Sequence, residues 1–235
     1  MEKKIYPADT RGHADYGWLS THHTFSFGSY HDPDRMNFGA LCVFNDDVLQ
    51  GGGGFGMHGH KNMEIISIPL QGALAHSDST GHVSVIRPDD VQVMSAGTGI
   101  MHAEHNHSAY EPVVFLQLWI LPEIQNLAPR YAQYRFDPKA WENHFYFLVG
   151  PRQQPSKLWI HQQAFVARAS IAIGQEIPYT LKHPGNGVFL FVIEGKVNVA
   201  GEVLGKRDGA GLEGVHQLAC QGIEISDILA IEVPM

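Results

Sequence analysis

The stretch GFGMHGHKNMEIISIPLQG, residues 54–72, sets His58 and His60 one residue apart behind a run of glycines and follows them with an apolar segment that closes on Gly72. In an extended strand residues i and i+2 point to the same face, so the two imidazoles are directed to one side. The four glycines at 51–54 permit φ > 0 and close backbone approach, which predicts a tight turn or bulge just ahead of the histidines. Taken alone, a His-x-His pair is also what a half-exposed polar strand looks like. The rest of the chain decides between the two readings.

Short runs of the same kind recur outward from this segment: GALCVFNDDV, VSVIRPDDVQVMSAG, VVFLQLWILP, FVARASIAI, GVFLFVIEGKVNVAG and ILAIEVP. They are rich in β-branched and aromatic residues and punctuated by the 25 glycines and 13 prolines, the pattern of a β-sandwich or barrel. The fold class expected is all-β. The segment PEIQNLAPRYAQYRFDPKAWENHF, 122–145, breaks this rhythm with three prolines and reads as a connection with short helical or irregular pieces. Two domains are therefore expected, 1–130 and 131–235. Residues 64–75, EIISIPLQGALA, and 187–198, GVFLFVIEGKVN, both run from an apolar strand through a glycine (Gly72, Gly195) into an alternating strand, as two copies of one barrel would.

Composition narrows the partners. The chain has 235 residues, 44% of them hydrophobic and 17% charged, with a formal charge of -8 from 16 basic and 24 acidic residues. The basic residues are scattered, so no stripe can neutralise a phosphate backbone and no direct nucleic-acid partner is expected. No segment reaches the roughly 18 apolar residues that a membrane span needs, and the opening MEKKIYPADTRGH lacks the apolar core of an export signal, so no membrane association and a cytoplasmic location are expected. Cys42 and Cys220, the two cysteines, are far apart and read as buried thiols of a reducing compartment.

Among the fifteen histidines, spacing singles out a second pair. The stretch SAGTGIMHAEHN, 95–106, places His102 and Glu104 at i and i+2, and two such pairs on facing strands inside a barrel can supply three nitrogens and one oxygen to a single ion. His105 is out of phase with that pair, and His107, His76, His82, His22 and His23 read as surface or supporting histidines. In the second half, aligning Gly195 with Gly72 leaves Leu181 and His183 where His58 and His60 stand, and His216 with Leu218 where His102 and Glu104 stand. At most two nitrogens remain there, too few for a catalytic ion, so that barrel is expected to be structural and free of metal.

The pattern Gly52-x5-His58-x-His60-x3-Glu64-x7-Gly72, followed by SAGTGIMH and Asn106, resembles the two cupin motifs. More closely, GWLSTHHTFSF, FGALCVFNDD, GFGMHGHKNMEI, MSAGTGIMHAEHN and PRYAQYRFDP resemble the pirin family in the family's order, over nearly the whole chain. The resemblance implies a bicupin with iron held in the N-terminal barrel by His58, His60, His102 and Glu104. One residue fewer separates His60 from Glu64 than in the general cupin pattern, and a one-residue shift turns a strand side chain to the opposite face. Glu64 is therefore expected to be solvated or to support the site from outside, with Glu104 as the carboxylate ligand.

Imidazole and carboxylate suit Fe(II), Mn, Ni, Cu or Zn, and the ligands alone do not select among them; a single divalent transition metal is expected, with Fe(II) as the resemblance implies. Phe55 and Met57 are expected to bound the open side of the site. The family further implies oxidative ring opening of a flavonol such as quercetin, with O₂ and a small aromatic molecule as substrates and Glu104 taking the substrate hydroxyl proton. A competing reading is an iron-binding, redox-responsive regulatory module that acts on a protein partner. A sugar-isomerase-type cupin fits less well, because no Lys or second Glu stands in the ligand phase. Two fused barrels can bury against each other the surface that single barrels bury by dimerising, so a monomer or weak oligomer is expected.

Overall fold

A computed structural model describes residues 1–154 and 156–235, and in it the apolar runs become strands of two seven-stranded and two four-stranded sheets. In the first half the large sheet runs in the order Arg130–Arg135, Asp90–Ser95, Glu64–Gln71, Val113–Ile120, Leu41–Leu49, Leu19–His23, Gly12–Asp15. Its small sheet runs Gly54–His60, Ile100–Asn106, Leu74–Asp78, Val83–Ile86. The second half repeats the plan, with Asn186–Glu194 and Ser226–Pro234 central in its large sheet and Glu176–Thr180 and Gln217–Gly222 paired in its small one. Among the described residues the strands pair antiparallel except for Tyr146–Pro151 with Leu158–Ile160, and an isolated bridge between Glu142 and Ser170 is also parallel.

The two large sheets pack against each other, and that explains why their strands are apolar on both faces. Ile66, Ile68, Leu116, Leu118 and Phe44 from the first half meet Phe189, Phe191, Leu229, Ile231 and Val233 from the second in one buried core. The alternate residues Ser67, Gln117, Asn45 and Gln92 are also buried, so they face the interior of the first barrel, the side on which the site is built. A cluster of Ile177, Tyr179, Val188, Leu190, Leu218 and Cys220 fills the second barrel instead. Cys220 is buried as expected, whereas Cys42 is only half-buried, with its thiol donating to the Trp119 carbonyl at 3.4 Å.

The two hairpin glycines of the internal repeat are both in the left-handed region, Gly72 at φ 73° and Gly195 at φ 83°. A Cβ at Gly72 would stand 2.6 Å from the Pro112 carbonyl oxygen, and one at Gly195 would press on the Ile225 carbonyl. Conformation and space both require glycine at the same point of each barrel.

Two elements differ from the sequence expectation. The segment 122–145 contains the regular strand Arg130–Arg135, which pairs residue for residue with Asp90–Ser95 at the edge of the first large sheet, followed by a single 3₁₀ turn, Pro138–Trp141. Its prolines flank the strand rather than interrupt it. Glu2–Tyr6 joins the sheet of the second half beside Gly209–Glu213, a pairing between chain ends that no local signal announces.

Candidate metal centre

Strand pairing brings the two halves of the site together. Ile100–Asn106 lies antiparallel to Gly54–His60 with His102 opposite His58, and the register slips between His102 and Glu104 because Glu104 stands opposite Phe55. One extra residue is thus accommodated in the His58 strand near Gly56 and Met57, a β-bulge. It lets the His58 Nδ1–H donate to the Gly56 carbonyl at 2.8 Å, which leaves the Nε2 lone pair free. That lone pair faces His102 Nε2 at 3.0 Å, and the rings of His58, His60 and His102 lie 4.4 to 4.9 Å apart between centroids. His60 packs edge-on against Trp119.

These three histidines form one group whose potential ligand atoms all lie within 4.8 Å of one another, and His76, His102 and Glu104 form a second group that shares His102. Glu104 stands opposite His76 on the neighbouring strand Leu74–Asp78. Its carboxylate is fully enclosed, accepting from the Ser67 hydroxyl at 3.3 Å on one oxygen and from the Gln117 amide at 2.8 Å on the other. Gln117 is oriented in turn by the Trp119 indole N–H at 3.0 Å. His76 is fixed by the Asp78 carboxylate at 3.1 Å.

The electrostatics suit a cation. Burial and the neighbouring imidazoles push His102 down to about 3, and burial with His58 pushes His60 down to about 4, so both rings are neutral at physiological pH and present lone pairs. Burial raises the Glu104 carboxyl, against the opposing pull of His76, Gln117 and Ser67. His102 Nδ1 is buried without a hydrogen-bond partner. Two imidazole nitrogens 3.0 Å apart stand beside a further neutral imidazole and an enclosed carboxylate. They match the donor set of a divalent ion, since nitrogens about 2.1 Å from a shared ion and about 90° apart are about 3.0 Å from each other.

A cavity of about 350 Å³ opens onto His58, His60 and Glu104 and is walled by Tyr16, Trp18, Phe27, Phe55 and Trp119. Phe55 lines it, whereas Met57 does not and is 58% exposed. The bulge brings Phe55 into phase with His58, whereas Met57, next to His58 in the strand, points to the opposite face by ordinary alternation.

Other sequence expectations need correction. Glu64 is neither solvated nor beside the site. It is 2% exposed, accepts from the Ser95 hydroxyl at 2.6 Å, and shares the face of Ile66 and Ile68 that packs against the second half, where Arg130 draws on its charge. Burial pushes its carboxyl up to about 7 from an ordinary 4.5. The folded protein therefore holds this proton where the unfolded chain has lost it. The stability this contributes is full below about pH 4.5 and falls as pH rises to about 7, by about 3 kcal/mol. Glu64→Gln is expected to flatten that part of the pH profile, read from urea midpoints at about pH 5 and pH 8. An unchanged slope would remove Glu64 as its source.

Of the histidines read as surface or supporting, His76 and His23 are buried, at 1% and 5% exposure. His105 and His107 are exposed and His82 nearly half so, whereas His22 is half-buried. The supporting residues that sequence reasoning missed are Asn45, Gln117, Ser67 and Gln92, which with His23 lie in one row across five strands of the large sheet, each directly opposite the next. The signal of Ser67, Gln117 and Gln92 was a lone polar residue inside an apolar run, as in IISIP, FLQLW and DVQVM.

In the second half the interior is mainly apolar, with Glu232 buried beside Tyr179, and His183 and His216 are exposed. His183→Ala is expected to leave the metal content of the protein at the parental level, measured by elemental analysis. A halved stoichiometry would place an ion in the second barrel.

Two barrels in one chain, the first with a histidine and carboxylate cluster at the foot of an aromatic cavity, define a bicupin. The chain belongs to the pirin family: the Pirin sequence model matches residues 6–120, and a model described as the quercetinase C-terminal cupin domain matches residues 147–233. Quercetin 2,3-dioxygenase of Escherichia coli K12 is 36% identical over 227 residues, covering 97% of this chain and 96% of that protein. A putative quercetin 2,3-dioxygenase of Zymomonas mobilis is 40% identical over 226 residues, covering 96% and 95%. Among solved structures, YhhW from Escherichia coli superimposes with a TM-score of 0.95 at 35% identity over 99% of this chain and 98% of that one. The bacterial pirin YhhW in complex with nickel(II) gives 0.93 at 34% identity, over 99% of both chains.

Proposed function

We propose that the protein is a metal-dependent dioxygenase that opens a flavonol such as quercetin with O₂. The ion, Fe(II) as the native metal, is held by His58, His60, His102 and Glu104, with His102 joining the two clusters. The division of labour follows the chain, residues 1–130 carrying the metal site and 131–235 backing it. The observation that carries the reading is the opening of His58, His60 and Glu104 into a cavity walled by aromatic rings. The likeness to named quercetin dioxygenases over the whole chain supports it. A bound transition metal supplies a Lewis acid for a substrate oxygen and a route for electrons to O₂.

The remaining work falls to the chain itself. The Gly56 carbonyl keeps His58 in the tautomer that presents Nε2. Trp18, Phe27, Phe55 and Trp119 take up a planar ring system and exclude water from it. Glu104, held by Ser67 and Gln117, receives the proton of the substrate hydroxyl, and its enclosure raises its affinity for that proton. The test is aerobic incubation of the iron-loaded protein with quercetin. Loss of quercetin with release of one carbon monoxide per turnover is expected. A fully metallated protein inert to flavonols would overturn the reading, and specific retention of a protein partner by that inert form would favour the regulatory module.

A further inference from the structure

The cavity contains a second carboxyl that the ligand set leaves unused. Asp47 lies on Leu41–Leu49, directly opposite Thr21 on one side and Phe115 on the other, and its side chain lines the cavity at 3% exposure. Its neighbour Asp46 points the other way along the alternating strand, toward the guanidinium groups of Arg11 and Arg207 at 3.3 and 3.5 Å. No cation faces Asp47 among the described residues, and its Oδ1 is buried without any hydrogen-bond partner. Such an atom is rare in folded proteins, because an unmet buried acceptor has lost its water and gained nothing in exchange. Neither histidine cluster includes it.

The chemistry around Asp47 matches a hydroxyl-bearing ligand. Burial pushes its carboxyl up to about 7, with the Thr21 hydroxyl pulling it back and the charges of Asp46 and Glu104 adding to the rise. Near neutrality it can both donate and accept, as a phenolic hydroxyl does. Beside it, the His23 Nδ1–H donates to Asn45 Oδ1 at 2.9 Å, and burial lowers the pKa of the ring, which favours its neutral form where it meets the cavity. The aromatic walls bind ring area and cannot read a hydroxyl pattern, whereas a buried hydrogen-bonding group discriminates strongly against a ligand that lacks its partner.

We propose that Asp47 is a substrate-binding residue whose carboxyl hydrogen-bonds a hydroxyl of a polyhydroxylated aromatic molecule in this cavity, so that it selects hydroxylated over bare ring systems. The assignment rests on the reading of the cavity as an aromatic substrate site. Its test is anaerobic equilibrium binding of quercetin and of 3-hydroxyflavone, which keeps the 3-hydroxyl and lacks the others, to metal-loaded parent, Asp47→Leu and Asp47→Asn proteins. Asp47→Leu keeps the branched skeleton and removes the unmet acceptor; Asp47→Ala serves if the bulkier leucine is not accommodated.

The expected result is a rise of about tenfold or more in the quercetin Kd for Asp47→Leu. The 3-hydroxyflavone Kd should stay within about twofold, Asp47→Asn should recover most of the loss, and metal content should equal the parent's. Equal shifts for both flavonols, no shift for either, or a parent that binds neither would overturn the assignment. A parent that binds quercetin but does not consume it in air sinks the dioxygenase reading alone, and the Asp47 comparison still stands or falls on the two binding constants.

Discussion

Glu104→Gln is expected to separate metal binding from chemistry. The amide keeps the shape of the carboxylate, and its surroundings can accommodate it: the Ser67 hydroxyl can rotate to accept from the new NH₂, while the remaining oxygen still receives the Gln117 amide. Gln117 cannot flip without breaking its bond from the Trp119 indole, so the orientation of the new amide is determined. His58, His60 and His102 are untouched. What is lost is the anionic charge and the proton acceptor, and removal of a general base costs on the order of 10² to 10⁴ in rate. Appreciable iron with most flavonol turnover gone is the expected result, while Glu64→Gln, on the far side of the sheet, should stay within a few-fold of the parent. Near-parental turnover in Glu104→Gln would remove it from the chemistry, and loss of both metal and turnover in Glu64→Gln would reverse the two carboxylates.

His102→Ala is expected to abolish metal binding with the fold retained. His102 is the residue that both clusters share, so its loss leaves His58 and His60 on one side and His76 and Glu104 on the other. Its strand is held by backbone pairing to neighbours on both sides, Gly54–His60 and Leu74–Asp78, and that pairing does not involve the imidazole. The deletion also removes a buried Nδ1 that has no partner, which offsets part of the cost of the space it leaves. Metal content below about a tenth of the parent's, with an unchanged far-ultraviolet circular dichroism spectrum, is the expected pair of readings. Parental metal content would show that His102 is not a ligand.

The pirin-type bicupin was legible in the chain because its determinants are local and periodic. The i and i+2 spacing of His58 with His60, and of His102 with Glu104, directs each pair to one face of a strand whatever surrounds it. The shift of Glu64 by one residue likewise turned it from that face, and it does lie on the opposite one. Its environment could not be read, because the face it joins is covered by the second half of the chain, and which surface covers a strand is a long-range fact.

Tertiary structure decided the rest. Phe55 and Met57, expected together at the open side of the site, part company because a bulge, defined only by pairing with Ile100–Asn106, brings Phe55 into phase with His58. His76, distant in sequence from both pairs, comes to the site because its strand is the other neighbour of Glu104. The polar row from His23 to Gln92 exists only once five strands are in register, since Ser67, Gln117 and Gln92 by themselves are each one polar residue in an apolar run. Asp46 and Asp47, adjacent and chemically identical, differ only in which side of the sheet they face: one meets two arginines, the other an aromatic cavity. Sequence by itself determined most of the strands, the barrel repeat and the direction of each i and i+2 pair, because these follow from backbone geometry over a few residues. Which groups are buried together, and hence which are neutral, unpartnered or free to meet a ligand, was settled by strand register and by the packing of one barrel on the other.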